Sequence, residues 1–272
     1  MKHLKSVAVY VVLTLGALWM LFPFIWMVST SFKTNNAVLA MPPQLIPHPF
    51  TLDNYRRVQE AFPVWHFFAN SVFVSVTATA GQLVTSSMAA YAFARLEWRA
   101  RETVFLLYLA TLMIPQQVTL TPLFILMKYL RWTDTYQALI LPSFFSAFGT
   151  FLLRQFFLTI PRSLEEAAFV DGASHWTVFS RIILPLAGPA LGTLAVFAFM
   201  SNWNSFLWPL VVTSDPKLMT LPLGLATLQG RWTTEWNLVM AGAVLNVLPM
   251  IAVYLVAQKQ FVKGVTLTGI KG

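Results

Sequence analysis

Residues Val7 to Ser31 read Val-Ala-Val-Tyr-Val-Val-Leu-Thr-Leu-Gly-Ala-Leu-Trp-Met-Leu-Phe-Pro-Phe-Ile-Trp-Met-Val-Ser-Thr-Ser, a run without a single charge. A helix of about 20 apolar residues crosses the hydrocarbon of a bilayer, so this stretch reads as a membrane span. Lys2 and Lys5 precede it, as in a secretory leader. Its apolar part is too long for a leader and no small-residue cleavage site follows, so we read a retained helix.

Working outward, gaps of at least 19 residues between charges occur at 6–32, 34–52, 61–94, 103–127, 135–153, 182–214 and 236–258. The gap at 34–52 holds Pro42, Pro43, Pro47 and Pro49 with Asn35, Asn36 and His48. Such a run cannot satisfy its backbone in lipid and reads as an extended loop. Six spans remain: Val7–Ser31, Ala69–Ala94, Val104–Met127, Tyr136–Leu153, Leu186–Thr213 and Asn237–Ala257.

Composition agrees. The 272 residues are 57% hydrophobic and 10% charged, whereas soluble domains carry about 25% charged residues. So few charges cannot cover a water-facing surface, and so apolar a chain does not stay disordered. There is no cysteine, which removes disulfides, thiolate metal sites and a thiol nucleophile. The net charge of +8 is spread over connectors without the basic–aromatic clustering that nucleic acid requires. We read it as topological. With six spans and a cytoplasmic N-terminus, eleven Lys/Arg lie inside (Lys2, Lys5, Arg95, Arg99, Arg101, Arg154, Arg162, Arg181, Lys259, Lys263, Lys271). Seven lie outside (Lys33, Arg56, Arg57, Lys128, Arg131, Lys217, Arg231). Both termini are therefore expected in the cytoplasm.

No Asp, Glu, Lys, Arg or His falls within the six spans. Ionisable groups at membrane depth mark proton relays, ion paths and catalysis. Their absence argues against a proton-coupled transporter, a metal-dependent membrane enzyme and a serine-based one. No catalytic and no metal-ligating residue is assigned. The polar features that remain are uncharged: Asn70 and the Ser/Thr residues after it, Gln117, the run Asn202-Trp203-Asn204-Ser205 with Trp208, and Asn246. Two readings stay open. Small and polar side chains glue helices together in lipid; amides beside indole rings also suit sugar hydroxyls and ring faces.

Between the fourth and fifth spans, Pro161 to Pro185 reads as two short helices. Ser163 is placed as an N-cap with Glu166 three residues on, a capping box. Gly172 suits the left-handed position that ends a helix. Ser174 caps the second helix, which is expected to stop before Pro185. The first helix is about two turns long and needs packing to persist. Glu166 is either the box partner or an ion-pair partner for another protein's arginine.

Glu166-Ala167-Ala168, then Gly172, Ile182 and Leu184-Pro185, resembles the EAA loop of permease subunits of binding-protein-dependent ABC importers. Arg154-Gln155-Phe156-Phe157, Asn202-Trp203-Asn204 with Phe206 to Leu210, and the end from Gln260 to Gly272 resemble the carbohydrate-importing branch. The chain is similar to the smaller, six-span permease of the maltose, oligosaccharide and glycerol-3-phosphate systems. The resemblance implies an all-α membrane protein with the type I ABC importer permease fold in a bacterial or archaeal cytoplasmic membrane. It implies a second homologous permease subunit, two ATPase subunits that bind the ATP and Mg, and an extracytoplasmic solute-binding protein. It places ATPase coupling on Glu165, Glu166, Ala167, Ala168, Asp171, Gly172, Ile182, Leu184 and Pro185. A substrate pathway is expected at Asn70, Gln117, Asn202, Trp203, Asn204, Trp208 and Asn246. A cytoplasmic tail at Lys263, Gly264, Gly269, Lys271 and Gly272 is expected to reach toward the ATPases. The organisation expected is a first helix and outer loop over 1–66, a five-helix core over 67–262 with the coupling loop at 161–185, and a tail over 263–272. No GxxxxGK[ST] phosphate loop occurs in the chain, so it is no ATPase by this reading. The alternatives are the same fold carrying glycerol-3-phosphate or a non-sugar solute, and a passive channel.

Overall fold

The computed structural model describes residues 2–229 and 234–268, and every regular element among them is helical. In chain order these are α1 (Lys2–Ser31), α2 (Asn35–Val38), α3 (Asp53–Ala61), α4 (Val64–Arg95), α5 (Arg101–Ala110), α6 (Gln116–Tyr129), α7 (Tyr136–Ile140) and α8 (Ala147–Thr159). There follow α9 (Ser163–Val170), α10 (His175–Val178), α11 (Leu184–Leu186), α12 (Gly188–Trp203), α13 (Leu207–Val212), α14 (Leu221–Ala226) and α15 (Trp236–Thr268).

Four helical stretches are long and apolar enough to cross a membrane: Val9–Ser31, Val64–Arg95, Tyr136–Thr159 and Trp236–Gln258. Two bent pairs complete six when each pair counts as one span. They are Arg101–Met113 with Gln116–Tyr129, bent by 101°, and His175–Leu186 with Gly188–Trp203, bent by 78°. The third span is thus broken where an unbroken one was expected. Ile114 is extended and Pro115, which has no N–H to donate, precedes the first residue of α6. The fifth span does not run on to Thr213. It stops at Trp203, where the Asn204 side-chain amide joins its own backbone N–H on the Met200 carbonyl (2.9 and 3.1 Å) and the Ser205 N–H turns to the Asn202 carbonyl three residues back (3.2 Å). The helix before it does not stop at Pro185 either. A π-helical turn over Phe179–Ile183 lets the Leu184 N–H reach the Phe179 carbonyl, so Pro185 is accommodated in the first turn of α11.

The chain divides into two compact units. One comprises 1–65 and 224–249. Its centre is Asn54, whose amide donates to the Ser31 and Lys33 carbonyls (2.8 and 2.7 Å) and whose oxygen accepts from the Asn237 amide (2.7 Å). Phe32 stacks on Phe50, and the Ser31 hydroxyl meets the Tyr55 hydroxyl at 2.8 Å.

The other unit comprises 66–223 and 250 onward. One cluster joins α4 (Ala90, Tyr91, Ala94), α8 (Leu153, Phe157), the α10–α11 region (Val178, Phe179, Ile183) and α12 (Ala190, Leu194). A second joins Val74 and Ala78 of α4 to Met127, Ala138, Leu139, Ile140, Trp208 and Val212. On α4, Gly81 leaves the space that the Phe144 ring occupies; a Cβ there would collide with that ring. Ser71, Ser75, Thr79, Ser86 and Ser87 of α4 are also buried, small polar residues of the kind through which helices pack where lipid supplies no hydrophobic drive.

Candidate functional site

The segment between α8 and α12 is built around α9. Its N-cap is Arg162, and no side chain caps it. Ser163 is therefore the first helical residue, and the capping box of Ser163 with Glu166 does not form. The register moves Glu165, not Glu166, onto the buried side. Glu166 and Ala167 face solvent and Ala168 is half-buried. Asp171 is the C-cap, and Gly172 follows at φ +80° with open space around its Cβ position. The Gly172 N–H donates to the Phe169 carbonyl (3.0 Å) and the Ala173 N–H to the Ala168 carbonyl (2.9 Å), a Schellman ending that requires the left-handed residue at this place. Ser174 caps α10, accepting from the Thr177 N–H at 3.2 Å. Ile182 and Leu184 pack against the α4–α8–α12 cluster, and Pro185 is exposed.

Beneath α9 lies an ionic clamp. Arg95, the last residue of α4, sets its Nε 2.7 Å from a Glu165 carboxylate oxygen, with the two side chains 4% and 8% exposed. Its Nη2 donates to the Phe157 and Ile160 carbonyls at 2.7 and 2.6 Å, at the end of α8 and just beyond it. Burial pushes the Glu165 carboxyl up from the ordinary carboxylate range, and the Arg95 guanidinium opposes that shift. Arg154 forms the reciprocal clamp. From α8 it donates Nε to the Phe93 carbonyl of α4 (3.1 Å) and grips both oxygens of Glu102 in α5 (2.8 and 3.0 Å). Its guanidinium also lies over the Phe105 ring at 4.1 Å. The sequence reading counts Arg95 only among the cytoplasmic cations and gives it no part in coupling. A cation at a helix C-terminus is a readable signal, but its target 70 residues later is not.

The residues expected along a substrate pathway do not gather into one network. Asn70 is buried and fully used: it donates to the Lys217 and Met219 carbonyls (2.8 and 2.9 Å) and accepts from the Tyr136 hydroxyl (2.8 Å). Trp203 is buried between Phe68 and Phe199, and the buried Trp208 indole donates to the Ala138 carbonyl at 2.8 Å. Both indoles serve the core. Asn202 is half-buried with its amide 3.5 Å from the Thr79 hydroxyl, and Asn204 and Gln117 are exposed. Asn246 is half-buried and lies in the other unit. An open groove of about 310 Å³ is lined by Val76, Thr79, Ala80, Leu83, Ala195, Val196, Phe199 and Val253. With one hydroxyl among its side chains, it offers little to a sugar. Lys263 and Gly264 continue the α15 backbone, whereas Gly269, Lys271 and Gly272 lie outside the described residues.

Comparison with known proteins places this geometry. Residues 82–266 match the family model of the binding-protein-dependent transport system inner membrane component. The chain is 36% identical over 279 residues to the arabinooligosaccharides transport system permease protein AraQ of Halalkalibacterium halodurans, covering 100% of each. It is 35% identical over 263 residues to the sn-glycerol-3-phosphate transport system permease protein UgpE of Shigella flexneri, covering 94% of each. Among solved structures it superposes with TM-score 0.82 and 27% identity on a chain of a bacterial ABC transporter involved in the import of the acidic polysaccharide alginate. That match covers 95% of this chain and 96% of the other.

Proposed function

The chain belongs to the family of binding-protein-dependent transport system inner membrane components, and on that premise we propose that it is a permease subunit that carries a neutral sugar or oligosaccharide across the cytoplasmic membrane. The observation that carries the coupling part of this reading is α9. It is a short helix rooted by a buried ion pair, with Glu166, Ala167 and the 88%-exposed Val170 turned outward. Such a surface fits a cleft in a cytoplasmic ATPase. Ala167 admits close approach, and Glu166 meets a basic residue of that partner. Two ATPase subunits hold ATP and Mg; a second permease completes the pathway; an extracytoplasmic binding protein delivers the solute. Closure of the ATPase pair on ATP displaces α9 and switches the spans between inward- and outward-facing states, a two-state element biased from a distant site. Both termini lie in the cytoplasm, with the tail from Lys263 to Gly272 directed toward the ATPases. Asn202 and Asn204 line the sugar's route.

A second reading, glycerol-3-phosphate as cargo, draws on the 35%-identical relative named for that solute. A phosphate ester requires positive charge, and none lies inside the six apolar stretches read from the sequence; Arg95 and Arg154, near the span ends, are engaged with Glu165 and Glu102. The neutral cargo is favoured.

The test is uptake into proteoliposomes of the complex assembled with its native partners, with ATP inside and binding protein outside. Labelled maltose, arabinotriose and glycerol-3-phosphate are the solutes. ATP-dependent uptake of either sugar supports the proposal. Uptake of glycerol-3-phosphate alone selects the second reading, and absence of assembly with any ATPase overturns both. In the sugar case, Glu166→Ala lowers binding-protein-stimulated ATP hydrolysis and uptake together.

A further inference from the structure

We infer that Arg95 is a positioning residue for energy coupling: it fastens α9 to the ends of α4 and α8, so that a displacement of α9 is passed to both helices at once. The inference rests on the proposed coupling role of α9 and goes beyond it, because Arg95 is outside the α9 segment and 70 residues from Glu165 in sequence.

Covalently, α9 is joined to α8 by Ile160, Pro161 and Arg162, and to α12 by α10, a π turn and α11. Both links have a weak point. Pro161 has no N–H to donate, and the path to α12 is bent by 78°. A push on α9 routed through the chain alone would be absorbed at those joints. The Arg95 guanidinium bypasses them. Its ion pair and its two hydrogen bonds end on three separate places: the Glu165 carboxylate in α9 beside Nε, and the Phe157 carbonyl in α8 and the Ile160 carbonyl after it, both bonded to Nη2. The guanidinium is planar, so the nitrogen that bonds both carbonyls and the nitrogen that faces the carboxylate keep a fixed spacing and direction. A lysine ammonium on a flexible stem does not reproduce it. Both side chains of the ion pair are almost wholly buried, which keeps water from replacing its contacts. Arg154 ties α8 to α4 and α5. The three helix ends beneath α9 therefore already form one body, and Arg95 adds α9 to it. The exposed Arg162–Glu97 pair, at 3.6 Å, is too loose and too wet to share this load.

The experiment compares the wild-type chain, Glu165→Gln and Arg95→Lys in the assembled complex. Uptake of labelled maltose, arabinotriose and glycerol-3-phosphate and ATP hydrolysis are measured on the same proteoliposomes and normalised to complex content. Glu165→Gln keeps volume and an acceptor oxygen but loses the charge. Both variants are expected to keep binding-protein-stimulated hydrolysis within about twofold while solute moved per ATP falls at least about fivefold. Because the chain has no cysteine, spin labels at Gln155→Cys on α8 and Ser163→Cys on α9 supply a second readout. Their separation is expected to stay constant between nucleotide states in the wild type and to vary in Glu165→Gln. If wild-type vesicles transport and both variants keep the wild-type uptake per ATP, or if the label separation is insensitive to Glu165→Gln, the inference falls and the importer reading stands. If neither variant accumulates as a complex, the pair is structural only and the inference likewise falls. If the wild-type chain itself assembles with no ATPase, the importer reading falls and takes the inference with it.

Discussion

Each of the two units is organised around a buried polar residue, and the two residues solve the same problem differently. Asn54 holds the Ser31 and Lys33 carbonyls and the Asn237 amide with neutral bonds alone. Arg95 holds the Phe157 and Ile160 carbonyls and a carboxylate with a full charge. A neutral hub leaves orphaned dipoles when removed, and each costs about 1–3 kcal/mol. An ionic hub leaves a lone buried charge, which costs about 3–5 kcal/mol. Lys33, in the unit of Asn54, sharpens the contrast. It is 2% exposed, yet its ammonium is met by the Gln44 carbonyl and the Trp26 ring face rather than by a carboxylate, and burial lowers its pKa. The lesson is that burial of charge is not in itself a commitment to an ion pair. The pair is found where a short helix must be fixed to two others.

The largest expected effect is that of Arg95→Met, which strands Glu165 and the Ile160 carbonyl, while the Phe157 carbonyl keeps the Ile160 N–H. Thermal midpoints of the detergent-solubilised complex are expected to report a loss of about 3–5 kcal/mol. Asn54→Leu follows at about 3 kcal/mol by the same measurement, from three orphaned partners at about 1 kcal/mol each without a stranded charge; a loss above that of Arg95→Met would break the comparison. Gly172→Ala costs about 1–2 kcal/mol, from the left-handed backbone alone, since nothing lies within 4 Å of the Cβ position. Gly172→Asn, a residue that tolerates that conformation, is expected to recover much of it. Ser174→Ala removes a formed cap and costs about 1 kcal/mol, whereas Ser163→Ala changes almost nothing because no cap bond exists there. A small effect is likewise expected of Lys33→Met, within about 0.5 kcal/mol. The methionine fills the place of the lysine beside the Trp26 ring, and the backbone carbonyl of Gln44, an exposed residue, is left to water. A loss above about 2 kcal/mol there would show that the ammonium, and not the stem, holds that region.

Much of this was legible beforehand for a simple reason: in lipid the backbone must be satisfied locally, so length between charges reports spans directly. The left-handed Gly172 and the Ser174 cap were equally readable, because both act within a few residues. What was not readable depends on partners distant in sequence. Glu165 and Glu166 are equivalent as letters; only the register set by Arg162 and the position of Arg95 decide which is buried. The Asn202–Trp208 run shows amides and indoles together, but the break at Asn204 and the Ala138 carbonyl turn both indoles into the core. Pro115 signalled an interruption without its 101° angle, and Pro185 signalled a stop that the π turn instead absorbs.

The first helix has a consequence for how the protein is made. None of the most apolar 18-residue window of α1 is buried within the chain, whereas the corresponding window of α4 is less apolar and 39% buried. Helix α1 can therefore leave the translocation machinery and enter lipid as soon as it is synthesised. Helix α4, with its serine and threonine face, is at ease only once α8 and α12 have emerged to cover it. Biogenesis of this subunit accordingly has a waiting step, set by the time the ribosome takes to reach Trp203.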